Sequence, residues 1–133
     1  MKTVNVLAAK RLGISRCACD TPIGDIARRM NGEDISCLVV TDDEGYLEGI
    51  VTRTDVVRAA LEQPDQWEET SCCDWMTSDV ITVFPTTALS SAAQILQAKH
   101  IHRVVVVEQE GSKLRPIAIL SDGDIIYHLI NRG

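Results

Sequence analysis

The chain of 133 residues is the size of one compact domain, and its 45% apolar and 24% charged residues are ordinary for a globular protein. Its net charge of −6 argues against a general nucleic-acid binder, because neutralising phosphates requires clustered Lys and Arg. No apolar run approaches the roughly 20 residues that span a bilayer, so we expect a cytoplasmic protein without a membrane partner.

Two similar amphipathic segments indicate an internal repeat. Residues 20–30, shifted by 66 positions, fall on residues 86–96. Both segments carry apolar residues at the i, i+3, i+4, i+7 spacing of a helix that buries one face. A threonine precedes each helix as its expected N-cap, Thr21 or Thr87, and Pro22 suits a first helical turn.

The same alignment predicts three strands and a second helix in each copy. The strands are rich in β-branched residues. They cover about 14–17, 35–40 and 47–51 in the first copy, and about 80–84, 101–106 and 117–120 in the second. We therefore predict an α/β (α+β) fold of tandem β-α-β-β-α repeats packed by pseudo-two-fold symmetry, with the first repeat at 1–65 and the second at 66–133.

Polar side chains should converge at one end of each predicted hairpin. A short turn joins the last two strands of each copy, so the start of one strand lies beside the end of the other. This suits a nucleotide, because a helix N-terminus offers amides to phosphate and an acid accepts from both ribose hydroxyls. The second copy brings together His102, Arg103, Ser121 and Asp124, and the first brings together Ser36, Cys37, Thr52 and Asp55.

Each hydroxyl-acid pair has a second interpretation. A Thr or Ser three residues before an acid is also the capping-box pattern, which only starts a helix. The presence of the pair at the same place in both copies favours a binding site, where Arg103 and His102 would neutralise phosphate.

The cysteines show no familiar pairing. Neighbouring cysteines rarely bridge each other, and no His or Cys cluster completes a tetrahedral zinc set. We therefore expect reduced thiols and no metal site. The five are Cys17, Cys19, Cys37, Cys72 and Cys73.

The closing segments of both copies, Gly-Ile-Val-Thr-Arg-Thr-Asp at 49–55 and Ala-Ile-Leu-Ser-Asp-Gly-Asp at 118–124, resemble the closing motif of CBS domains. Residues 101–107 and the lead-in at 74–83 resemble the same family, and the likeness covers about 14–130. It implies a tandem pair, often called a Bateman module, with two clefts between the repeats. The implied ligands contain adenosine: AMP, ADP, ATP or S-adenosylmethionine, with no catalytic cofactor.

The resemblance also implies a role for each matching position. One hydroxyl-acid pair would hold the phosphate side and ribose of each ligand, and His102 and Arg103 match a phosphate-contacting pair in the γ subunit of the energy-sensing kinase. Because the first copy has Ser36 and Cys37 there, with only Arg53 nearby to compensate, we expect one occupied site. The residues implied to contact the bases are Ile50 and Ile119, with Val80 and Ile81 or Ile14 and Ser15 opposite.

Three functions follow from these features. The first is a regulatory module that binds the ligand, forms a homodimer through the exposed apolar faces of its second helices, and signals to an unidentified effector protein. The second is an interaction scaffold without a ligand. The third is a cysteine-dependent enzyme, which would need His102 near Cys37.

Overall fold

The computed structural model describes residues 4–6 and 13–131. The chain is mixed α/β and divides into two compact units. The first unit comprises Ser15–Val80, and the second comprises the described residues from Ile81 onward together with those before Ser15. No helix within these described ranges is long and apolar enough to cross a membrane.

The first unit is a three-stranded sheet with two helices and a structured connector. The strands lie in the order β1-β2-β3, with β1 parallel to β2 and β2 antiparallel to β3. Its elements are β1 (Arg16–Ala18), α1 (Ile23–Glu33), β2 (Cys37–Thr41), β3 (Leu47–Thr52), α2 (Arg53–Glu62) and two 3₁₀ helices (Trp67–Glu69 and Cys72–Asp74).

The apolar periodicities explain the core of this unit. On α1, Ile23, Ile26 and Met30 are buried at helical spacing, and on β2 the alternate residues Leu38 and Val40 are buried against them. The 3.6-residue period of the helix and the two-residue period of the strand therefore meet in one cluster.

The connector after α2 belongs to this unit. Thr77 exchanges two backbone hydrogen bonds of 2.9 Å with Ile50 on β3. Trp75 is 6% exposed, and its indole N–H donates to Thr70 Oγ1 over 2.9 Å. The connector thus supplies core side chains to the first unit as well as linking the repeats.

The second unit repeats the order of elements. The strands lie in the order β4-β5-β6, with β4 parallel to β5 and β5 antiparallel to β6. Its elements are β4 (Thr82–Val83), α3 (Leu89–Lys99), β5 (Arg103–Glu110), β6 (Lys113–Ser121) and α4 (Asp122–Asn131).

The second hairpin is longer than predicted. The polar residues that follow the predicted strand at 101–106 continue the strand pairing as far as Glu110 opposite Lys113. Arg115 lies opposite Glu108, and its guanidinium forms an ion pair of 2.6 Å with Glu110. The polar residues from Glu108 to Glu110 are therefore part of a paired strand, and the side chain of Glu110 also forms this ion pair.

The predicted N-caps of the first helices are wrong. The caps of α1 and α3 are Pro22 and Ala88, and neither makes a side-chain cap bond. Thr21 Oγ1 accepts instead from Ala18 N–H over 3.1 Å, and Thr87 Oγ1 accepts from Phe84 N–H over 2.9 Å. Each threonine therefore closes the turn that leaves the strand, one residue too early to cap the helix.

Gly49 provides a test of how tightly the connector packs on β3. A Cβ at Gly49 would lie 2.7 Å from both Met76 Sδ and the Thr77 carbonyl oxygen. Because the carbonyl belongs to paired backbone, we expect Gly49→Ala to lower the free energy of unfolding by about 1–3 kcal/mol. Urea denaturation measures this change.

The matched control is Gly32→Ala in α1, where a Cβ would meet nothing within 4 Å. Since alanine favours a helix over glycine, this variant should gain about 0.5–1 kcal/mol. Equal effects of the two substitutions would contradict the close approach of the connector to β3.

Candidate functional site

The hairpin registers bring the predicted site residues together within each unit. Thr52 lies opposite Cys37 and Ser121 lies opposite Arg103, each at the end of its sheet. The next residue on each strand starts a helix, and its backbone N–H donates to the carbonyl of Ser36 in the first unit or of His102 in the second. The predicted convergence of polar groups beside a helix N-terminus is therefore present in both copies.

The hydroxyl-acid pairs form helix caps in both units. Asp55 Oδ2 accepts from Thr52 N–H at 2.8 Å and from its hydroxyl at 3.2 Å, and Asp55 N–H donates to Thr52 Oγ1 at 3.4 Å. In the second unit, Asp124 Oδ2 accepts from Ser121 N–H at 2.8 Å and from its hydroxyl at 3.0 Å. Every candidate ligand contact by these side chains must coexist with the cap.

The two carboxylates differ in accessibility. Asp55 is 7% exposed, and its second oxygen accepts from Arg58 over 3.0 Å. The same guanidinium donates to the Trp75 carbonyl over 3.0 Å and lies 5.2 Å from the centre of the Trp75 ring. Asp124 is only half-buried, so a ligand in solution reaches its carboxylate more easily.

The cationic candidates also differ between the copies. Arg103 is half-buried on β5 directly opposite Ser121. The exposed ring of His102 contacts Asp122, with 3.0 Å between Nδ1 and Oδ2. In the first copy, Arg53 Nη2 lies 3.3 Å from Asp34. Sequence reasoning did not single out Asp122, although its position directly after Ser121 placed it at the helix N-terminus.

The residues implied to contact a base lie in strands or just before them. Ile50 is 9% exposed with its backbone bonded to Thr77, whereas Ile119 on β6 is half-buried. The first strand of each unit is shorter than predicted, so the other four candidates lie before it and outside any strand. These four are half-buried: Ile14 and Ser15 before β1, and Val80 and Ile81 before β4.

Each of two cysteines near β1 lies beside a cysteine of the second 3₁₀ helix. The expectation of reduced thiols throughout is wrong for one of these two pairs. Cys19 and Cys73 form a disulfide, although 54 positions separate them. The sulfurs of Cys17 and Cys72 lie 3.9 Å apart in the core. The hydrogen bond with Cys17, and then burial, raises the pKa of the Cys72 thiol, so this thiol stays protonated.

Both copies match the same known domain family. The CBS domain family matches residues 16–62 and again residues 72–131. The chain belongs to the CBS domain family. A mitochondrial member from Arabidopsis thaliana, CBSX3, is 27% identical over 119 residues, which cover 86% of this chain and 56% of that protein. The chain thus spans little more than half of this curated relative's length.

Solved structures of CBS-domain proteins share the fold. The CBS-domain protein ATU1752 from Agrobacterium tumefaciens has a TM-score of 0.78 at 27% identity, over 92% of this chain and 94% of that chain. The CBS domain pair of protein MJ0100, solved in complex with 5′-methylthioadenosine and S-adenosyl-L-methionine, has a TM-score of 0.81 at 23% identity, over 98% of both chains. The tandem-repeat fold class is therefore confirmed.

The difference between the two caps predicts unequal stability effects. Both Asp55→Ala and Asp124→Ala remove a capping carboxylate, which costs about 0.5–2 kcal/mol. Asp55→Ala should cost more of the free energy of unfolding, because it also removes the 3.0 Å ion pair between Asp55 and Arg58. Urea denaturation without ligand compares the two.

The control is Asp65→Ala, at an exposed position in the turn after α2, which should change stability by less than about 0.5 kcal/mol. A cost for Asp124→Ala equal to or above that for Asp55→Ala would contradict the assigned roles.

Proposed function

We propose that this chain is a regulatory CBS-pair module that binds one adenosine-containing ligand at the N-terminus of α4 and signals to a partner protein. The supporting observation is that Arg103 lies opposite Ser121, whose N–H and hydroxyl donate to the half-buried Asp124. A ligand that stabilises one arrangement of the module shifts its population, and a partner protein would detect that shift.

Each group at this position has a part of the ligand to bind. The half-buried Asp124 carboxylate accepts from ribose hydroxyls, as acids do in dinucleotide-binding folds. The guanidinium of Arg103 and the positive end of the α4 helix dipole bind the phosphate side. Ile119, half-buried on β6, offers apolar contact to the base.

The charges of this helix start narrow the choice of ligand. Two acids, Asp122 and Asp124, lie in the first turn of α4, and the ring of His102 contacts the first of them. Because these carboxylates repel polyphosphate, we infer that AMP and S-adenosylmethionine bind better than ATP. Both ligands of the MJ0100 structure contain adenosine, which is in keeping with this class of ligand.

We infer that the first copy does not bind the same ligand. Asp55 is buried and bonded to Arg58, and Arg53 is paired with Asp34, so the groups that would bind ribose and phosphate are already engaged. One occupied site per chain follows.

A scaffold without a ligand is the second candidate, and the complete caps in both units favour it. An enzyme is not proposed, because Cys37 is 8% exposed and the matched regions are those of a regulatory domain family. We retain a cytoplasmic location as a prediction, in keeping with a ligand drawn from the adenine nucleotide pool.

Ligand-induced thermal stabilisation tests the proposal. AMP, ADP, ATP, S-adenosylmethionine and NAD are added in turn to wild type and to Asp124→Ala, Asp55→Ala and Arg103→Ala. A ligand at 100 times its Kd adds about 2.7 kcal/mol of stability. Asp124→Ala should abolish this gain and Asp55→Ala should keep it. Arg103→Ala should weaken AMP binding more than S-adenosylmethionine binding.

Lys99→Ala, which removes an exposed cation at the end of α3, is the control for Arg103→Ala. Stabilisation by no ligand would favour the scaffold. Stabilisation that survives Asp124→Ala but not Asp55→Ala would place the site in the first copy.

We also propose that the second helices form a homodimer interface. Leu61 is 77% exposed on α2, and Ile130 is 74% exposed on α4. Each unit has a groove between its two helices, of about 320 Å³ beside Val57 and about 520 Å³ beside Ile126. Apolar faces and grooves of this kind are typical of protein interfaces, and a second copy presents the same surface.

Sedimentation equilibrium tests the dimer. Wild type should sediment as a dimer, and Leu61→Glu with Ile130→Glu should raise the dissociation constant at least about tenfold, because each buries a charge at the interface. The matched control Leu114→Glu changes a half-buried residue on the second hairpin, away from both grooves. A monomeric wild type would contradict the proposal.

A further inference from the structure

A separate group of side chains lies at the other end of the first sheet from Thr52. Cys19 follows β1, Cys73 lies in the second 3₁₀ helix, and Glu48 lies near the start of β3. The two sulfurs and a carboxylate oxygen of Glu48 all lie within 4.8 Å of one another. We propose that, in the reduced protein, these three side chains bind a thiophilic divalent cation, for which zinc has the matching ligand chemistry.

The backbone holds the two cysteines together whether or not their sulfurs are bonded. Cys73 N–H donates to the Cys19 carbonyl over 3.0 Å, and Cys72 N–H donates to the Thr21 carbonyl over 2.9 Å. The Cα atoms of the bonded pair lie 4.8 Å apart. Reduction of the disulfide therefore leaves two thiols facing the same small volume.

The spacing of the three ligand atoms suits zinc. Zinc binds sulfur at about 2.3 Å and carboxylate oxygen at about 2.0–2.2 Å, so two sulfurs on one tetrahedral ion lie about 3.8 Å apart. The 4.8 Å limit on the separations here allows this distance after small side-chain rotations. Glu48 supplies a third ligand beside the two sulfurs, and a water molecule would complete the tetrahedron.

The surroundings attract a cation. The group opens into a cavity of about 480 Å³. Clefts lined by charges of one sign concentrate ions of the opposite sign. The acids that line the cavity besides Glu48 are Asp20, Asp42, Asp43 and Asp74.

Loading requires the two sulfurs as thiols. A phosphine reductant supplies two electrons and is oxidised to the phosphine oxide, the S–S bond breaks, and two hydrogens from water end on the sulfurs. Cation binding then releases the two thiol protons to solvent.

Cobalt substitution tests the site. Protein reduced with a phosphine and freed of metal by a chelator is titrated with Co²⁺, followed by Zn²⁺. We expect one Co²⁺ per chain with sulfur-to-cobalt charge-transfer absorption, and its displacement by Zn²⁺. Cys19→Ser and Cys73→Ser should lose the absorption, and Glu48→Gln should raise the Kd for Co²⁺ at least about tenfold.

Two matched controls should bind like wild type: Cys17→Ala, which removes a core thiol outside the group, and Glu44→Gln, in the turn before β3. Circular dichroism establishes that each variant is folded. Absence of cobalt–thiolate absorption in reduced wild type would overturn the proposal and leave a plain disulfide. Unchanged binding by Cys19→Ser or Cys73→Ser would overturn it equally.

Discussion

The bonds between the last residue of a strand and the carboxylate three residues later shape both repeats. At Thr52 and Ser121 the chain changes from strand to helix without a loop, and the first amides of the helix would be left without partners. The carboxylates of Asp55 and Asp124 accept from the backbone at that corner, while the hydroxyl accepts from the third residue of the turn. These bonds at the junction between strand and helix therefore help to fix where α2 and α4 start relative to their sheets.

This junction between strand and helix has different surroundings in the two copies, and the proposed function depends on that difference. In the first copy the connector places Trp75 beside Arg58, which occupies the remaining oxygen of Asp55. In the second copy the equivalent carboxylate is half-buried at the end of a hairpin that also presents Arg103. The same motif thus caps a helix in both copies, and the proposed ligand site uses only the second.

Sequence patterns were sufficient for the features that depend on local periodicity. The buried spacing of Ile23, Ile26 and Met30 is a helical period, and a short turn between two apolar runs predicts their antiparallel register. Features that depend on distant chain segments were not predictable in this way. The Arg58 that binds Asp55 also donates to the Trp75 carbonyl, and Cys19 pairs with Cys73. Trp75 and Cys73 both come from the connector, far along the chain from Cys19. The threonine error at Thr21 was a shift of one residue between two adjacent hydrogen-bonding roles.

The link between Cys19 and Cys73 affects the unfolded chain as well as the folded one. It closes a loop of 54 positions that spans most of the first unit, and closing a loop of that length removes conformational entropy worth about 4 kcal/mol in the chain-entropy model. A cation shared by the two cysteines would close the same loop. The first unit is thereby restrained even when denatured, and within the described residues the second unit has no cysteine at all. The two halves of one duplication thus differ in how far each can expand when it unfolds.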